Sequence, residues 1–452
     1  MGTTSPPHNL RRELGLASAT AAIVGEIIAV GIFLTPAGMA KALGSPFWLL
    51  IVWLTVGGMT LSGALCYGEL AGRFPRAGGV YVFLRESYGP RLSFLYGWMS
   101  MLVVDPAISA SFAAGMAAYF AYVVPLSPLA IKLIAVGMIW ALCLLNIVSI
   151  RLTAWFLRWI TWLKLGLLAF LTIWALSFRL GSWSNFKPFV TQHPGSMPLA
   201  PALAIGMLGA FFSFGGWWDI GKVAGEIRDP GRTLPRALTF GVVAITLVYI
   251  VISAVFLYLV PVEKVTSDQA FVAQAGEVLF GPTGGIVFSA IVIICLIGSL
   301  GALIMFAPRV YYAMANDGLF FNAIARTHPR FGTPANAILI QGFTASLLVL
   351  AATFDQIISY ALFVMIIFLG ITVSGLFVIR PRQQAAASVI LTPGYPLTPL
   401  IFIALVVLML LLVAVHSPRG ALIGVLVVLA GLPFYEIFRS RLIPVPAESE
   451  AS

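Results

Sequence analysis

Apolar runs long enough to cross a lipid bilayer recur along this chain, and no other feature restricts its fold so strongly. Gly285–Leu303, Ala335–Ala351 and Leu400–Val415 are examples. About 20 apolar residues in a helix cross a hydrocarbon core about 30 Å thick. Of the 452 residues, 60% are hydrophobic and only 9% are charged, where a soluble domain carries roughly 25% charged residues. A water-soluble fold of this length has no core large enough to hide so much apolar surface. The chain is read as an all-α membrane protein.

Breaking the apolar runs at charged and Pro/Gly-rich clusters predicts twelve transmembrane helices. They are Leu16–Ala40, Pro46–Arg73, Leu92–Val124, Leu129–Ile150, Thr153–Leu180, Ala200–Gly225, Leu238–Val260, Gly284–Ala315, Pro334–Thr353, Gln356–Ile379, Leu397–Val415 and Ala421–Phe438. Segment Ala77–Gly89 mixes Arg85 and Glu86 with Val80, Tyr81, Phe83 and Leu84, and reads as a short interfacial helix. Leu16 begins a full-length span, so no cleavable signal is expected.

Orientation follows from the basic residues. Loops and helix ends on the amino-terminal side hold most of the arginines, among them Arg73, Arg76, Arg151, Arg236, Arg330 and Arg380. The opposite side holds Lys41, Lys132, Arg179, Lys187, Lys264 and Arg419. This asymmetry of about three to one puts both termini in the cytoplasm by the positive-inside rule. The net charge of +10 is dispersed a few residues per loop, which argues against nucleic-acid binding. Cys66, Cys143 and Cys295 each lie inside an apolar span, an odd set that implies neither a disulfide frame nor a metal site. With no Asn-x-Ser/Thr acceptor anywhere, a bacterial inner membrane is the simplest home.

Two spans carry small or polar residues in mid-membrane. The first contains Gly25-Glu26-Ile27-Ile28-Ala29-Val30-Gly31-Ile32-Phe33, and the sixth contains Phe212-Ser213-Phe214-Gly215-Gly216-Trp217-Trp218-Asp219. They open the two halves of the first ten spans, and paired interruptions at corresponding places point to an inverted-repeat transporter. An unwound stretch frees N–H groups suited to a carboxylate and carbonyls suited to an ammonium. Glycines in membrane helices also serve close packing, which is the competing explanation.

The first interruption resembles the G-x-I-I-G-S-G-I-F signature of the amino acid–polyamine–organocation superfamily, and Phe212–Trp217 resembles the F-A-Y-G-G-W segment of its L-type amino acid transporter branch. Further matches are Arg76-Ala77-Gly78-Gly79-Val80-Tyr81, then Glu226 with Asp229-Pro230 and Leu234-Pro235-Arg236. Pro308–Gly318, His328-Pro329 and Thr333-Pro334 follow in register. The resemblance implies a five-plus-five inverted repeat (LeuT-like) with two accessory helices. Its expected divisions are a tail over 1–15, repeats over 16–180 and 200–380, accessory helices over 395–439 and a tail over 440–452. Carried over by position, the carbonyls of Ile27, Phe212 and Gly215 would hold a substrate ammonium. The amides of Val30 and Gly31 would hold its carboxylate, and the Phe212 ring would act as a gate. The sequence departs from the pattern at Ala29-Val30-Gly31, where a serine is lost, and at Trp218, where relatives often have asparagine.

Charged residues within a bilayer are costly and are functional suspects. Lys164 lies about 16 Å along the fifth span from Thr153, at about 1.5 Å per residue. The resemblance puts it where sodium-driven relatives place a sodium ion between spans one, five and eight, which implies sodium independence. Glu26 could neutralise Lys164, select a cationic substrate, carry a proton, or form a structural ion pair. Asp105 either caps the helix after Pro106 or lines a pocket. Asp219 and Lys222, three apart, are expected to form a packing salt bridge. His193 is expected to be solvated, and Trp48, Trp53, Trp98, Trp155, Trp159, Trp162 and Trp183 to anchor at the interfaces.

No phosphate loop, metal-spaced His/Cys cluster or H-E-x-x-H helix occurs, so no cofactor is expected. The leading expectation is a secondary transporter of neutral amino acids, a sodium-independent exchanger or proton-coupled carrier. Polyamines, organic amines or cationic amino acids are the alternative substrates. An intramembrane enzyme leaves the paired helix breaks unexplained, and a channel would normally require several subunits. No disulfide-linked heavy chain is expected, since Val124–Leu129 lacks the cysteine used by animal members of this branch. Reporter fusions after Lys187 and Lys264 should read external, and fusions after Arg151 and Arg330 cytoplasmic. An external signal after Arg330 would break the repeat assignment.

Overall fold

Proline and glycine cut the expected spans into shorter helices, and the cuts position the site. The computed structural model describes residues 15–28, 31–76, 78–262, 271–351, 354–416 and 418–439. The first span is two helices, α1 (Leu16–Ile27) and α2 (Gly31–Leu43). Then come α3 (Pro46–Arg73), the short α4 (Val80–Tyr88), and a third span made of α5 (Pro90–Met99), a π-helical turn at Ser100–Val104 and α6 (Asp105–Val123). The fourth and fifth spans are α7 (Pro128–Val148) and α8 (Ile150–Ser177). The sixth is α9 (Leu199–Phe214) followed by a 3₁₀ segment, Trp217–Glu226. Next are α10 (Pro230–Leu259), α11 (Phe271–Phe306), α12 (Pro308–Asn316), α13 (Ala335–Ala351) and α14 (Phe354–Arg382). The chain closes with α15 (Leu397–His416), α16 (Pro418–Leu429) and α17 (Gly431–Arg439). Among the described residues ten helices or near-continuous helix pairs are long and apolar enough to cross a membrane, and Leu16–Ile27 and Ala335–Ala351 are shorter apolar helices.

Several boundaries differ from the sequence reading, for identifiable reasons. The seventh span begins at Pro230 rather than Leu238. Proline is favoured at a first helical position, and the carbonyl of Gly231, left without its helical donor by Pro235, instead accepts from the Ile390 N–H at 3.0 Å. Within Phe271–Phe306 the backbone at Gly281, φ 71°, is not helical, so two helices meet there and the eighth span starts just beyond it, close to the expected Gly284. Asp105 does not cap a new helix. The third span continues through the π turn with Asp105 in ordinary helical geometry.

Corresponding spans of the two halves pack on each other: α2 on α9, α3 on α10, α6 on α11 and α7 on α13. The fold is a five-plus-five helical membrane fold with two accessory spans. Close backbone approach depends on small residues. A side chain at Gly25 would meet Thr161 Oγ1 at 2.6 Å, and one at Gly298 would meet Ile160 at 2.5 Å, so α8 lies tightly against α1 and α11. The outer faces are apolar, with Leu133, Leu144, Ile173, Leu247 and Leu411 all exposed, as a multi-pass membrane protein requires. Trp155, Trp159, Trp162 and Trp183 belong to that surface. Trp53 and Trp98 do not. Both are buried, Trp53 with its ring 5.0 Å from that of Tyr249. His193 is not simply solvated either; it is half-buried and its backbone N–H donates to Gly44 O at 2.8 Å.

The arginine-rich end of the bundle is tied by ion pairs. Tyr81 donates to Asp317 Oδ2 at 2.7 Å, and Arg85 pairs with the same carboxylate, joining the motif after the second span to the one after the eighth. Burial beside Asp317 pushes the Tyr81 phenol up from its ordinary value. Helix α4 is a short helix, too short to span, and is packed with Val80, Tyr81, Phe83 and Leu84 buried. Fully buried Glu69 accepts from Arg73 Nε at 2.9 Å, Arg380 Nη2 at 2.6 Å and Thr392 N at 2.8 Å. One carboxylate thus fastens α3, α14 and the segment beyond it. Glu69→Ala strands two guanidinium groups in a poorly solvated site, and breaking such a pair costs about 3 kcal/mol. The expected result is a clear fall in Tm of the detergent-solubilised protein; an unchanged Tm would mean that both arginines find water.

Candidate substrate site

The two interruptions meet. Helix α1 ends at Ile27, α2 starts at Gly31, and α9 ends at Phe214 before the Gly215-Gly216 turn. Gly216 has φ 104°, and a side chain there would lie 2.7 Å from Glu26 Cγ, so both conformation and space require glycine. On the other side of the break, Thr35 Oγ1 lies 2.6 Å from Ser213 Oγ. Tyr249, from α10, places its hydroxyl 2.8 Å from Ile27 O and 2.7 Å from Ser213 O. One phenol serves the ends of both broken helices.

Between the breaks lies a cavity of about 40 Å³, room for about three waters at 10–15 Å³ each. Spans one, three, six, eight and ten enclose it. Its polar lining is Glu26, Tyr96, Asp105, Asp219 and Lys222, and its apolar lining includes Phe112, Phe212, Trp218, Leu303 and Met365. Asp219 and Lys222 meet at 2.9 Å, both buried; they lie three apart on a 3₁₀ segment, where such positions eclipse. Asp105 Oδ2 accepts from the Tyr311 hydroxyl at 2.7 Å. The π turn before it lets α5 and α6 run on as one rod while one turn is widened.

Glu26, Phe212 and Gly215 line this cavity together. Ile27 is buried, with its carbonyl against Tyr249, and Phe212 O accepts from Gly215 N–H at 3.0 Å. Ala29 and Val30 lie outside the described residues. Gly31 packs against α9: a side chain there would sit 2.2 Å from Ser213 Cα. Lys164 is buried and donates to Ser299 Oγ at 2.7 Å, which ties α8 to α11. It does not pair with Glu26, and Glu26 makes no side-chain hydrogen bond or ion pair among the described residues. Tyr96, Tyr311, Phe112 and Met365 escaped the sequence reading, since nothing separates them from other aromatic or apolar residues of a span. Asp105 was recognisable by its charge, and Asp219–Lys222 is an ion pair that also faces the cavity.

Paired helix breaks enclosing a polar cavity within a membrane bundle define a carrier of small solutes. Residues 14–432 match the family described as amino acid permease, and the chain belongs to that family. It is 29% identical over 444 residues to the serine/threonine exchanger SteT of Bacillus subtilis (strain 168), covering 96% of this chain and 98% of that protein. It is 28% identical to the b(0,+)-type amino acid transporter 1 of Homo sapiens, over 95% of this chain and 88% of that protein. It is also 28% identical to the human large neutral amino acids transporter small subunit 2, over 94% and 80%. The chain is a multi-pass transporter of amino acids, not an enzyme.

The glycine geometry separates two effects. Gly31→Ala drives a methyl group into the backbone of α9, so it should lower thermal stability, by about 1–3 kcal/mol as for overpacking. At Gly215 an added carbon meets Phe212 O at 3.0 Å and the Trp218 ring at 3.6 Å. Gly215→Val should therefore weaken substrate-induced thermal stabilisation while costing less folding stability than Gly31→Ala. Equal stability losses in the two variants would refute this assignment.

Proposed function

We propose that this chain exchanges amino acids across a bacterial plasma membrane by alternating access, without sodium. The α-carboxylate is received at the start of α2, by the Gly31 amide and, as the resemblance implies, that of Val30, since first-turn N–H groups lack helical partners. The α-ammonium is received between Glu26 and the carbonyls of Ile27, Phe212 and Gly215. A carbonyl has two lone pairs, so the contacts of Ile27 O and Phe212 O with Tyr249 and Gly215 leave acceptor capacity. Phe212, on the cavity wall, serves as the gate.

The observation that carries the sodium-independent reading is Lys164. Its buried ammonium is bonded to Ser299 at 2.7 Å, bridging spans five and eight where the resemblance places a sodium ion. A covalently attached cation leaves that place no use for a diffusible one. The three cysteines are buried and free, which supports a carrier that works without a disulfide-linked heavy chain. The apolar outer faces contact lipid, and both termini lie in the cytoplasm.

Counterflow into proteoliposomes tests the proposal. Exchange of amino acids should run at equal rates in sodium and potassium buffers. Lys164→Ala should reduce turnover by more than about tenfold, since a difference of about 1.4 kcal/mol at the barrier is enough. Sodium-stimulated uptake by the natural protein, or undiminished exchange by Lys164→Ala, would reject the fixed-cation role.

A further inference from the structure

The walls of the cavity differ in how far they can give. Its volume of about 40 Å³ is small even for a small amino acid, so some wall must move for any solute to fit. Alternating access carries the solute through a state closed on both sides, and the walls that stay fixed there set the largest solute. Met365 is unbranched and adapts its shape. Trp218 has no such freedom. Its ring stacks on Phe211 at 6.1 Å with the planes 22° apart, and meets the Trp217 ring edge-on at 5.5 Å. Trp217, 1% exposed, is itself held against Tyr67 at 4.7 Å. The far edge of the Trp218 indole returns over the helix break, since a carbon added at Gly215 would lie 3.6 Å from its Cη2 atom.

We propose that Trp218 sets the size limit of the substrate, and that the chain carries amino acids with small neutral side chains, alanine, serine and threonine, in preference to leucine and phenylalanine. This rests on the amino-acid reading above and narrows it. With the α-groups held at Glu26, Gly31 and Gly215, the side chain is left the space between Phe112 of the third span, Trp218 of the sixth, Leu303 of the eighth and Met365 of the tenth. An indole backed by Phe211 and Trp217 has nowhere to retreat, so each further methylene must displace packed rings, and interiors resist added volume. A hydroxyl is a different matter. Apolar walls discriminate weakly against a hydroxyl that adds little bulk, and Tyr96 and Lys222 on the same lining are groups that a hydroxyl can meet. Serine and threonine therefore stand with alanine.

The test uses the purified full chain in proteoliposomes, each batch loaded with one unlabelled amino acid and given the same amino acid labelled outside. Alanine, serine, threonine, leucine and phenylalanine are compared at equal concentration, and the shift in Tm that each produces is measured on the purified protein. Leucine and phenylalanine should exchange more slowly than alanine by about tenfold or more, the discrimination that extra methylenes support. Trp218→Asn, which removes the ring, should raise the leucine-to-alanine ratio by about tenfold or more. Leucine exchange as fast as that of alanine in the natural protein would overturn the size limit. A ratio unmoved in folded Trp218→Asn would overturn the role of Trp218. If that variant fails to fold, Trp218→Phe, which keeps a smaller ring against Phe211, carries the same comparison. Absence of both exchange and stabilisation with every amino acid would instead defeat the amino-acid reading itself.

Discussion

A helix that stops inside a bilayer leaves carbonyls and amides with no water to bond to, and each unsatisfied group costs several kcal/mol. This protein stops two helices at the same depth. The Tyr249 hydroxyl lies within 2.8 Å of Ile27 O on one broken helix and 2.7 Å of Ser213 O on the other. The Tyr249 ring is locked between Trp53, with ring centres 5.0 Å apart, and Phe214, at 5.2 Å. With the Thr35–Ser213 contact on the far side, the breaks are held together, and the cavity exists because they are. The glycines follow from this closeness, since Gly31 and Gly216 each stand where a side chain would enter the opposite segment.

The buried charges divide by how they are satisfied. Glu69 is saturated by two arginines and Thr392 and fastens the arginine-rich end. Lys164 has one short hydrogen bond between two spans, which suits a fixed strut. Of the carboxylates facing the cavity, Asp219 is paired with Lys222 and Asp105 accepts from the Tyr311 hydroxyl, while Glu26 has no side-chain partner among the described residues. Such mismatches are tolerated where a ligand completes them, as local consistency gives way at functional sites.

Much of this was legible from residue order. Apolar length found the spans, because the hydrocarbon thickness sets a length that a local pattern can meet. Gly25 to Phe33 and Phe212 to Asp219 announced the breaks, because glycine and charge stand out against an apolar background. Boundaries next to proline were misread, as at Pro230, where the freed Gly231 carbonyl is answered by Ile390, 159 residues further along. A donor that distant leaves no local trace. Charge alone left Glu26 open as a partner of Lys164 among other roles, and the packing gives Lys164 to Ser299 instead.

The sequence by itself determined that the chain is a bundle of apolar helices in lipid, that two of them are broken, and which buried residues carry charge. These properties belong to single segments and to the transfer of side chains from water to hydrocarbon. Only the tertiary structure decided which charges neutralise one another, that Gly31 is a packing contact with Ser213 while Gly215 faces the cavity, and that Tyr96, Tyr311 and Asp105 gather on one side of it. Those outcomes depend on distances between helices far apart in the chain, and an apolar helix presents several faces that composition alone does not distinguish.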